Sequence, residues 1–268
     1  MHSVLWIVDV DDLKPLFCAT KSIAAKSSNL HHKPRAQCKP YTVAELTKMC
    51  LQLDPSNSFD AAVLAAVIAA FWGIARISEL TIHRLDGFDP AWHISISHIS
   101  TCTNRQLQAE VTVLHSLWTK SAGFCGEKII WAKQSGPADP NHGLQNHLRI
   151  NNPMVGKHLF LHTITSSKGP ECCLLTRNLF ITHIHEACQS AGISVWHGHS
   201  FRIGGTLEYL LRGNSFDQVK YHGCWASDAF RVYLWQHAEV LAPYIQADPG
   251  LHAAVWHHAV SELPPIRG

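Results

Sequence analysis

The sequence predicts a mainly α fold with a small antiparallel β-sheet, an α+β domain. Three observations predict it. Helix start and stop residues recur between Tyr41 and Gly223, each pair bracketing apolar residues at helical spacing. Residues 92 to 132 contain three runs in which apolar and polar residues alternate, the period of a half-buried strand. One long apolar segment, residues 61 to 75, is bounded by Asp60 and Arg76. It falls short of the roughly 20 residues that span a bilayer, so it is read as a buried helix and no membrane partner is expected.

The elements follow in order. Residues 1 to 40 include the Pro-broken polar stretch SIAAKSSNLHHKPRAQCKP and are read as an N-terminal segment and linker. Thr42 with Glu45 makes a capping box ahead of VAELTKMCLQL, so the folded domain is expected to cover residues 41 to 247, with a tail over 248 to 268. The loop DPSNS leads into the apolar helix, whose alanines suit close packing and whose end is expected to hold Arg76. The alternating runs are residues 92 to 103, with WHISISHIS inside, residues 110 to 118, and EKIIWA at 127 to 132. The turn SAGFCG joins the last two and puts Lys120 at a hairpin, with Lys128 and Lys133 as alternatives for a hairpin cation.

Asp139 with Pro140 opens a further helix. HLFLHT reads as a short extended piece and SSKGPECC as an exposed turn. Thr176 caps RNLFITHIHEACQSA, which stops at Gly192. In a helix from His199, Phe201, Leu207, Leu210 and Leu211 supply the apolar side, and its Gly204-Gly205 pair lets another backbone come close before Gly213 ends it. Ser215 with Gln218 caps a short helix ending at Gly223, and Ser227-Asp228 opens the last, AFRVYLWQHAEVL.

The chemistry concentrates in HSFRIGGTLEYLL and in the helices after it. His199 and Arg202 stand one helical turn apart and so share a face. A planar guanidinium makes paired bonds to phosphate oxygens, an imidazole moves protons, and Tyr233, farther along, supplies a phenolic nucleophile. The same His-x-x-Arg spacing at His32 and Arg35 lies in the Pro-flanked linker, where nothing else fits. Upstream, ARISEL places Glu79 three residues after Arg76, suited to orient that guanidinium, as a structural ion pair at a helix end also would.

These residues resemble the tyrosine recombinase superfamily, the phage integrases and their relatives. The matching set, in the family's order, is Arg76 with Glu79, Lys120, His199, Arg202, Trp225 and Tyr233. Cys224 separates Gly223 from Trp225, so either Trp225 or His222 fills the family's His/Trp position. Tyr221 is a rival nucleophile by type but stands before the glycine turn. GHSFRIGGTL, GCWASDAF and HAEVLAPYIQ are similar to a fungal, Crypton-like branch of mobile-element recombinases. The resemblance covers residues 41 to 246.

It implies breaking and rejoining of double-stranded DNA through a 3′-phosphotyrosyl intermediate, without a metal or other cofactor. It further implies a homo-oligomer on DNA and a nuclear location. Residues 1 to 40 are too few for the family's helical core-binding domain, so the alternative is an inactive DNA-binding remnant of a mobile element.

Composition fits an intracellular protein of 268 residues, long enough to bury about 70 to 75% of its unfolded surface. Nine cysteines without a CxxC pair point to a reducing compartment. Close pairs such as His183 and His185, His197 and His199, His257 and His258, or Cys172 and Cys173 lack the matching second pair of a structural zinc site. A net charge of +2 leaves room only for a local basic patch. Twenty histidines would add charge below about pH 6.5, so DNA binding is expected to strengthen in mild acid.

Overall fold

A computed structural model describes residues 38–104, 109–119, 122–167 and 169–225. In chain order these form α1 (Val43–Cys50), α2 (Ser58–Trp72), the one-turn α3 (Ile77–Leu80), β1 (Ile99–Asn104), β2 (Ala109–Ser116) and β3 (Glu127–Ala132). Then come α4 (Pro140–Asn151), β4 (Leu161–Ser166), β5 (Gly169–Leu174), α5 (Arg177–Ser190), α6 (His199–Leu211) and α7 (Phe216–His222). The fold is mainly helical with small antiparallel sheets, as the sequence predicts.

The axis of the core is α2. Asn57 caps it, accepting from the backbone of Phe59 and Asp60, and every residue from Ala61 to Trp72 is buried. A helix apolar all round must be covered all round. Here α4, α6, β3 and β4 pack against it. The alanines let these neighbours approach, and the indole of Trp72 donates to Ala138 O at 2.8 Å.

The Gly204-Gly205 pair brings α6 onto α2. A Cβ at Gly204 would fall 2.1 Å from Tyr41 O, and one at Gly205 would fall 2.0 Å from Phe71 O. Only glycine permits that backbone contact. The Tyr41 amide then reaches Ser200 O, and its ring stacks on Phe201.

The sheet β1-β2-β3 is antiparallel, with Thr101 opposite Thr112 and Val113 opposite Ile130. Its inner face, including Leu114, Ile129 and Trp131, joins the core.

The structure differs from the sequence reading in four places. WHISISHIS is not one strand: Ser95 donates its amide to His98 Nδ1 at 2.9 Å and its hydroxyl lies 2.7 Å from that of Ser97. These local bonds hold a 3-10 turn over Ile96–His98, and the strand starts only at Ile99. SSKGPECC is half of a hairpin rather than a plain turn, because β5 pairs with β4 from Gly169 onward. The long apolar helix stops at Gly73, so Arg76 opens a separate turn, α3.

The fourth concerns the histidines. His98, His147, His158, His162, His199 and His222 are all pushed below the ordinary imidazole range, burial being the largest cause each time. Mild acid therefore adds less charge than the histidine count suggests. Among the described residues, no helix is long and apolar enough to cross a membrane.

Candidate active site

The site is built where three chain segments meet. The first is the turn after α2. Ile74 has a φ of 48°, the left-handed region that a β-branched residue rarely adopts, and this bend redirects the chain so that Arg76 becomes the N-cap of α3. Glu79 holds it at two points. One carboxylate oxygen accepts from Arg76 Nη1 at 2.5 Å and the other from the Arg76 backbone amide at 2.9 Å. Glu127, the first residue of β3, stands 3.7 Å from the same Nη1.

The second segment is α6. Gly198 is its N-cap, and a Cβ there would sit 2.8 Å from Ile181 Cδ1 and 3.1 Å from Ile77 Cγ1, so the glycine lets the start of α6 nestle between α5 and α3. His199 is its first residue and Arg202 lies one turn on, buried to 2% exposure. A buried guanidinium needs partners for its fork. Arg202 Nη1 donates to Ile74 O and Nη2 to Gly223 O, both at 2.5 Å. It thereby ties α6 to the turn that carries Arg76.

The third segment is the end of α7. Gly223 is its C-cap, and Trp225 folds back so that its ring lies 4.2 Å from Arg202 Cζ. Val219 packs with Ile74, Leu207 and Leu210, and Trp225 closes that small cluster from outside.

Arg76, Ser78, Arg177, His199 and Arg202 share one cavity of about 200 Å³, and no carboxylate lies in its wall among the described residues. Burial, then the charges of Arg202 and Arg76, hold the His199 imidazole below its usual range, so it is neutral at pH 7. Guanidinium groups with a neutral imidazole suit an anion whose reaction releases a proton. A larger cleft of about 460 Å³, lined by Leu85, Phe88, Met154 and Cys172 among others, holds none of Arg76, His199 or Arg202. Size therefore does not select the site; charge does.

Solved recombinases are similar to this chain. An FLP recombinase–Holliday junction complex shares 13% identity over 85% of this chain and 53% of that one, with a TM-score of 0.46. XerH site-specific recombinase bound to palindromic difH substrate shares 16% over 78% and 54%, with a TM-score of 0.47. An Flpe–Holliday junction complex shares 12% over 91% and 56%, again at 0.47. The chain spans about half the length of the solved chains it matches. No family model and no curated protein matches the sequence.

Of the two candidates for the His/Trp position, Trp225 is the one on the guanidinium. The imidazole of His222 turns to the sheet, with Nε2 2.7 Å from Ile130 O and its ring against Tyr209. Lys120 and Tyr233 lie outside the described residues, as does the helix expected after Ser227. Of the alternative lysines, Lys128 is exposed on β3. Tyr221 is 82% exposed on α7.

Sequence reading missed Arg177 and Ser78. Arg177 follows the capping residue Thr176 at the start of α5 and bears no spacing relation to the His-x-x-Arg pair. Chain folding alone carries it there, through Arg177 N donating to Ile82 O at 2.8 Å and Ile82 N to Leu175 O at 3.2 Å.

Proposed function

We propose that this chain is a tyrosine recombinase-type catalytic domain that breaks and rejoins DNA strands. The observation that carries the reading is the shared cavity of Arg76, His199 and Arg202, free of carboxylates in its described wall and closed beside Arg202 by Trp225. A phosphodiester is the anion that this chemistry serves. The two arginines bind its non-bridging oxygens and stabilise the charge of five-coordinate phosphorus. Tyr233 attacks phosphorus, its phenolic proton passing to the neutral His199. The new Tyr–O–P bond forms as the bond to the 5′ oxygen breaks, and Lys120 protonates that leaving oxygen. Reversal by a 5′ hydroxyl rejoins the strand, and no external energy source is needed.

In this reading the domain covers residues 41 to 247, works on double-stranded DNA as a homo-oligomer, and acts in the nucleus as part of a Crypton-like mobile element. The test uses nicked suicide duplexes taken from sequence flanking the gene. A denaturation-resistant protein–DNA adduct, lost in Tyr233→Phe, is the expected result. Adducts of equal yield in that variant would sink the role of Tyr233.

A second reading, an inactive DNA-binding remnant, draws on the Arg202 fork, two of whose nitrogens already donate to backbone carbonyls. Salt-sensitive DNA binding with no adduct on any substrate would favour it.

A further inference from the structure

The cavity has a wall that the proposed strand cleavage does not use. Arg177 faces it from the first position of α5, and Ser78 faces it from α3. A cation at the first turn of a helix opposes the helix dipole, which favours negative charge there. Arg177 also shares its cavity with Arg76, Arg202 and His199, and its lining holds no acidic residue among the described ones. Among the described residues Arg177 makes no ion pair, and it is exposed. The dipole opposes Arg177 in the free protein, and an anion in the cavity would meet an exposed guanidinium with no carboxylate partner to displace among the described residues.

The placement is also rigid at its root. The backbone of residues 175 to 177 is hydrogen-bonded to Ile82, two residues past the end of α3, which fixes the start of α5 against the turn bearing Ser78. The two side chains thus come from elements locked together by main-chain bonds.

We propose that Arg177 and Ser78 form a second phosphate subsite, taking the phosphate next along the strand to the one held by Arg76, His199 and Arg202. This rests on the reading of the cavity as a phosphodiester site. Arg177 supplies charge and a planar fork, Ser78 a hydroxyl donor. The subsite fixes the register of the strand without touching the reacting bond, so Arg177 is a positioning residue.

The test measures binding of fluorescein-labelled mixed-sequence duplexes by the full chain across a salt series, for the wild type, Arg177→Gln and Arg177→Lys. Each phosphate contact contributes about 0.9 to the slope of log affinity against log salt. Arg177→Gln is expected to lower that slope by about one and to weaken all duplexes alike, while Arg177→Lys keeps it. The melting temperature of free Arg177→Gln is expected to equal or exceed the wild type, which a merely structural arginine would not allow.

A wild-type slope in Arg177→Gln would overturn the subsite and leave the main site standing. Weakening confined to one duplex sequence would overturn it in favour of a base contact. A wild type that binds no duplex would remove the phosphodiester reading, and the subsite with it.

Discussion

The ring of Trp225 rests on the guanidinium of Arg202, 4.2 Å from Cζ, and it also occupies the space where a side chain at Gly223 would begin. A Cβ on residue 223 would lie 1.8 Å from the indole. Gly223→Ala therefore displaces Trp225 without replacing any cationic side chain. Adduct yield on a nicked duplex should fall on the order of 10²-fold, the scale of losing one well-placed stabilising group. Wild-type yield in Gly223→Ala would show that the stacked ring is dispensable.

Arg202→Lys keeps the charge and loses the fork. One ammonium cannot bond the carbonyls of both Ile74 and Gly223 and also present a flat face to Trp225. A buried carbonyl is left without its donor, at a cost of about 1 to 3 kcal/mol. Urea unfolding of the variant is the measurement. Unchanged stability would mean that Arg202 does not hold the three segments together.

Glycines in two helices should respond in opposite ways. Gly205→Ala drives a methyl into the carbonyl of Phe71 and should cost about 1 to 3 kcal/mol or more. Gly143→Ala meets the flexible end of Ile68 at 3.1 Å, and alanine favours helix by roughly 0.5 to 1 kcal/mol, so stability there should hardly change. Equal losses at both positions would refute the backbone contact between α2 and α6.

Stability should fall steeply in acid. Burial pushes His147 and His158 down to about 4. His147 donates Nε2 to Leu159 O and accepts at Nδ1 from Asn151, while His158 accepts at Nδ1 from the amide of Phe160. Both are therefore held neutral. The unfolded chain binds protons that the fold refuses, so stability rises with pH through this window. It is complete above about pH 6.5 and is lost as pH falls toward 4, by about 2 kcal/mol for each histidine at pH 5. Denaturant melts from pH 7 to pH 4.5 check it, and His147→Gln should flatten the profile.

The caps were legible in the sequence. Thr42 with Glu45, Asp139 before Pro140, Thr176, and Ser215 with Gln218 all close helix starts through local hydrogen bonds that need nothing from elsewhere in the chain. The pairing of Arg76 with Glu79 was legible for the same reason. What could not be read depends on distant partners or on side chains competing with the backbone. Ser95 and His98 turn an alternating pattern into a 3-10 turn. Arg177 reaches the cavity only through Ile82, and the positions of Trp225 on Arg202 and of His222 against Ile130, a residue of β3, depend on contacts far along the chain.

The two neutral histidines in the core also make unfolding a proton-consuming reaction. Near pH 5, each molecule that unfolds should draw about two protons from solution through His147 and His158. Those protons come from the buffer, so the measured heat of unfolding must contain the buffer's own heat of ionisation. Calorimetry in acetate and in a histidine buffer at one pH would give different enthalpies for the same transition, and their difference counts the protons.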